Sequence, residues 1–177
     1  MATHHRHRPR HTRPVLTLEH GSETCRVWLP DPDQPLVLAH FGDAAALAVA
    51  TLEMPVDREV LVLLDQHRAV TAMLLDPPAE LGVGIGWCDG PGLEVPFTHT
   101  LDIVIRPKVP IAPPSDHDIR GYRSLRRLHM LQGLTLLDVV LVDGDRVQSI
   151  AIGAGIECEW FDEHDGGDGD DPLEPAA

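Results

Sequence analysis

From Glu59 to Leu64 the chain is almost uninterrupted apolar residues, broken at Asp65, Gln66 and His67, and from Ala69 to Leu75 the apolar run resumes. Successive strand residues point to opposite faces, so a run apolar at nearly every position reads as a buried strand, and the pair as a hairpin. Other elements follow from similar signals. Val15 to Glu19 and Cys25 to Leu29 alternate around His20, Gly21 and Ser22, which predicts a hairpin. Asp43 precedes an Ala- and Leu-rich run through Ala50 to Met54 that Pro55 ends, which predicts a short helix. Pro77 to Pro96 holds five glycines and reads mostly as loop, with room for one irregular strand, and Leu101 to Ile105 reads as a strand, with His99 in the loop before it.

After the proline-rich Pro107 to Pro114, a helix is expected with Ile119, Tyr122, Leu125, Leu128 and Met130 or Leu131 on its buried side. Arg120, Arg123, Arg126 and Arg127 fall on the other side, and Gly133 lies just past its end. Leu136 to Val142 and Arg146 to Ile152, joined by Asp143, Gly144 and Asp145, predict a last hairpin. The order is hairpin, helix, hairpin, loop, strand, helix, hairpin: an α+β domain with a mixed sheet.

The ends differ from this middle. Residues 1–13 carry His4, His5, His7, His11 and four arginines with almost nothing to bury, and residues 159–177 are acidic and Gly-rich, so both are expected to be disordered tails around one domain at 14–158. With 177 residues, 43% of them hydrophobic, the chain has material for one core. No apolar run is long enough to span a membrane and no signal peptide is evident, which points to a cytoplasmic protein with no membrane partner. Cys25, Cys88 and Cys158 are odd in number and far apart, as expected of reduced thiols. The formal charge of −14 makes nucleic acid a poor partner, because cations drive that binding.

Several residue groups invite a functional reading. Ser115 and Asp118 have the spacing of a capping box, in which each side chain satisfies the other's backbone N–H. His117, Asp118 and His99, with Cys88, could make a zinc site only if adjacent helical residues, about 100° apart, faced one ion. The N-terminal histidines could hold a transition metal loosely. Gly82, Gly84 and Gly86 lack the helix a dinucleotide turn must open, and Asp165 to Asp171 lack the closing Glu of a calcium loop. The arginine face could receive an acidic partner segment, for which the chain's own acidic tail is the nearest supply.

Arg58 to Asp65, followed by His67, Arg68, Ala69 and Val70, resemble the first strand pair of RadC-like JAB (MPN, JAMM) domains. Pro114, Ser115, Asp118 and Ile119, and then Leu136, Leu137 and Asp138 within Leu134 to Val142, resemble that family's helix start and its Leu-Leu-Asp strand. The resemblance covers residues 42–152. It implies a JAB-like mixed sheet with two main helices, to which the N-terminal hairpin is an addition. In active members two histidines one residue apart and an aspartate hold zinc, and a glutamate acts as general base. Catalytic zinc needs three protein ligands and an open position for water, whose pKa falls from about 15.7 to about 7.

By the family spacing the histidine positions fall on Ile105 and Pro107 and the base on Met73, and no His-x-His pair exists outside the N-terminal tail. The expectation is therefore a bacterial, non-catalytic JAB domain without cofactor. Ser115 and Asp118 are its motif remnants, and it binds a protein partner, with self-association through an uncovered sheet edge as a companion expectation. Two alternatives stand beside it: a JAB-type zinc isopeptidase or peptidase with relocated ligands, and a DNA-repair accessory protein.

Overall fold

The apolar runs form the middle of a seven-stranded sheet. The computed structural model describes residues 16–20, 23–77, 95–106, 113–158 and 160. The elements are β1 (Leu16–His20), β2 (Glu23–Trp28), α1 (Phe41–Thr51), β3 (Glu59–Leu64), β4 (Val70–Leu75), β5 (His99–Ile105), α2 (Asp116–Leu131), β6 (Thr135–Asp143), β7 (Arg146–Ser149) and α3 (Ile150–Gly153). The strand order is β1-β2-β4-β3-β5-β6-β7. All neighbours are antiparallel except β5 and β6, which run parallel because α2 carries the chain back between them. The architecture is α+β with a mixed sheet.

Register sorts the strand residues into two faces. Val60, Val62, Leu64, Met73, Leu75, Leu101, Ile103, Val140 and Val142 pack on one face with Ala44, Leu47 and Ala48 of α1. The other face carries two separate apolar clusters. Cys25, Val27, Leu61, Leu63, Ala72 and Leu74 form one across β2, β4 and β3, and Leu136, Val139 and Leu141 of β6 form the second with Tyr122 of α2 and Ile150 of α3. Between them runs β5, which presents Thr100 and Asp102 on this face, opposite Leu63 and Leu61 of β3. A polar stripe thus divides the two clusters.

Local chemistry sets the ends of the helices. Asp43 Oδ2 accepts from the backbone N–H groups of Ala39 and His40 at 3.0 Å, which closes the start of α1. Ser115 caps α2, and the left-handed conformation at Gly133 (φ +74°) turns the chain after it. Ser149 Oγ accepts from Ile152 N at 2.8 Å.

That last bond corrects the expected strand from Arg146 to Ile152. The chain leaves β7 at Ser149 and makes one helical turn, α3, a third and short helix. His99 also differs: it begins β5 rather than preceding it. The buried face of α2 is rotated from expectation. Tyr122 and His129 are its buried residues, while Leu128, Met130 and Leu131 are 45%, 68% and 76% exposed. The stripe that meets the sheet is 118, 122, 125 and 129, one helical face at steps of three and four. Trp160 lies two residues past the expected domain end at 158 and is buried among the residues of the α1-side core. The Gly-rich segment 78–94 and both expected tails, apart from Trp160, lie outside the described residues. Among the described residues no helix is long and apolar enough to cross a membrane.

Candidate functional site

Where β5 ends beneath the first turn of α2, the two elements leave a cavity of about 280 Å³. Asp102, Val104 and Arg106 line it from β5 and its end, and Val139 and Leu141 from β6. His117, Asp118, Gly121, Tyr122 and Leu125 of α2 roof it, and Ile150 closes it from α3. Its position is held from behind, because Pro114 seats on Gly153: a Cβ built on that glycine would stand 2.9 Å from the proline ring.

At the rim Asp118 does two jobs. Its Oδ2 accepts from Ser115 N at 3.1 Å and Ser115 Oγ at 2.7 Å, while Ser115 Oγ accepts from Asp118 N at 3.2 Å. This is the capping box expected from the spacing. Its Oδ1 accepts from Arg106 Nη2 at 2.6 Å, a contact the spacing does not reveal. The Arg106 guanidinium, helped by the Ser115 donors, holds the Asp118 carboxyl down to about 2.

On the cavity floor Asp102 is 7% exposed, and its carboxyl interacts with that of Glu59 on the neighbouring strand. Two acids therefore stand side by side at the cavity floor, one from β3 and one from β5. Burial first, and the Glu59 charge second, push Asp102 well above the usual carboxylate range, and burial raises Glu59 as well. No N–H or O–H donor among the described residues reaches Asp102 Oδ1. Thr100 Oγ1 and His129 Nε2, between α2 and the sheet, are also buried with no hydrogen-bond partner among the described residues. His129 pairs through Nδ1 with Leu125 O at 2.9 Å, and burial lowers its pKa and keeps it neutral. Burial, with the Asp138 charge behind it, pushes the Tyr122 phenol up to about 12.

On the opposite face Asp138 is also buried but fully partnered. Its carboxyl accepts from Val139 N at 2.8 Å, Ala151 N at 3.1 Å, Trp160 Nε1 at 3.1 Å and Ser149 Oγ. Burial outweighs these four donors and raises its pKa. Its role is to pin α3 and Trp160 to β6.

The other residues singled out in the sequence scatter. Met73 is fully buried in the α1-side core and Ile105 packs against the same core; Pro107 lies outside the described residues. His117 and Asp118 do line one cavity, despite being adjacent on the helix. His99 sits at the far end of β5, roughly 20 Å from Arg106 by strand rise, and Cys88 lies outside the described residues. The Asp118 carboxylate is committed to Arg106 and Ser115. Among the described residues, no three His, Cys, Asp or Glu side chains gather closely enough to hold a metal ion. Arg120, Arg123 and Arg127 are exposed on the outward face of α2, whereas Arg126 is half-buried and its Nη1 donates to Glu157 O at 3.1 Å.

Glu59 and Asp102 are the site residues that pattern reading missed. The available signal was a lone acid inside the apolar run Leu101 to Ile105. Neither a model of a known protein family nor a curated protein sequence matches the chain.

Proposed function

We propose that this chain is a JAB-type domain without a metal centre that works in the cytoplasm by binding another protein. The observation that carries the reading is the 2.6 Å contact of Arg106 with Asp118. Where the resemblance requires a cation beside this aspartate, the chain supplies one of its own, a guanidinium matched to a carboxylate. Ile105 and Met73, apolar at a ligand and the base position, support the same reading.

The partner face is the outward stripe of α2. Arg120, Arg123 and Arg127 continue along it into Met130 and Leu131, so cationic and apolar groups lie on one surface. An acidic protein segment with a few apolar side chains complements it. Buried Cys25, whose thiol burial pushes up to about 11, is unreactive and suits a reducing compartment.

The zinc-hydrolase alternative requires metal, and metal analysis separates the two. The partner face is tested by reversing Arg120, Arg123 and Arg127 to Glu. Capture of an acidic partner should fall by tenfold or more and weaken with added salt in the wild type. Capture that is unchanged by the reversal places the interface elsewhere.

A further inference from the structure

We propose that the cavity between β5 and α2 binds a small organic cation, with an ammonium or amidinium head on Asp102 and an apolar body against Val104, Leu125 and Val139. The volume of about 280 Å³ lies just below the roughly 300 to 1,000 Å³ range of drug-sized sites, which sets the occupant at fragment size. The charges at the cavity choose its sign. Arg106 and Asp118 cancel at the rim. Glu59 and Asp102 place two carboxyls on neighbouring strands at the cavity floor, which disfavours an anion there.

An anion would have to take Arg106 away from a 2.6 Å contact and then face that carboxyl pair. The backbone at the start of α2 is no substitute, since Asp118 N is already paired with Ser115. A cation meets the reverse situation. Asp102 Oδ1 has no donor among the described residues, and apolar Val104, Leu125 and Val139 share the lining with it, so an N–H⁺ group on Asp102 gains a charge-assisted bond.

Binding has a proton balance. A permanently protonated amidinium on Asp102 favours the ionised carboxylate over its protonated form, so binding releases up to one proton to solvent. The groups that face Asp102 are Glu59 from β3, Arg106 at the end of β5, and His117, Asp118 and Tyr122 from α2, whereas β6 presents only Val139 and Leu141. The carboxyl pair and the His117 imidazole are thus the groups whose ionisation bears on a cation there, and affinity rises with pH as the carboxyls ionise.

Benzamidine titrated calorimetrically into the full chain, in two buffers of different ionisation heat, tests this. Expected are saturable binding, proton release of up to one per site, and affinity that gains up to about tenfold per pH unit while the pair titrates. Asp102→Asn keeps the shape, removes the charge, and should cost at least tenfold in affinity and abolish proton release. Glu59→Gln, a second variant on another strand, should weaken binding in the same direction. The inference is overturned by benzoate or neutral benzamide binding as well as benzamidine, by Asp102→Asn binding it like wild type, or by no saturation with benzamidine.

Discussion

At the residue scale the site is governed by two carboxyls with opposite environments. Asp118 is held down to about 2 chiefly by Arg106, so its contact stabilises the fold fully above the ordinary value of 3.8 and is lost as pH falls through about 2. In Arg106→Met the Asp118 carboxyl should titrate closer to 3.8, as read by NMR; an unmoved titration would show that Ser115 alone does the work. Asp138 is pinned by four donors, and Asp138→Ala strands the Trp160 and Ser149 donors together with two backbone N–H groups. We expect a loss of about 3 kcal/mol in denaturant unfolding, with red-shifted tryptophan emission; a loss below about 1 kcal/mol would contradict the pinning role. Neither environment was legible in the sequence. The Ser115–Asp118 cap could be read because its partners are three residues apart, whereas Asp102 meets a glutamate from another strand and Asp118 an arginine across the 107–112 segment.

At the element scale the strands were readable because their apolar runs are long and bounded by turn residues, and β3, β4 and β6 lie within a residue or so of expectation. The helix faces were less so. Counting Leu128 and Met130 or Leu131 as core rotates the buried face of α2 away from His129, since burial there depends on where β5 and β6 lie. Likewise β7 stops at Ser149 because that hydroxyl and Asp138 favour a helical turn, which no strand pattern encodes. Two glycines test how the elements seat. Gly153→Ala would drive a methyl into the Pro114 ring and should cost about 1 to 3 kcal/mol. Gly121→Ala has open space within α2 and should stabilise by about 0.4 to 1 kcal/mol, both read from denaturant midpoints. Equal effects from the two would mean that α3 does not brace the start of α2.

For the whole molecule, the sheet has α1 over one face and α2 over part of the other, with a polar stripe on β5 where the second face divides into two clusters. This arrangement places the only strand carboxylate of that stripe beside the Arg106–Asp118 pair, under a helix whose outer side remains exposed. The α+β order could be read from the chain; the inner cavity could not, because it is made by residues from four elements. The central proposal is that a guanidinium stands where a JAB-type hydrolase would hold its metal. Zinc per chain, measured on protein with His4, His5, His7 and His11 changed to Ala and purified without chelator, tests it most directly. The account predicts well below one zinc per chain, unchanged by Asp118→Asn. Roughly one zinc per chain, lost on Asp118→Asn, would contradict it.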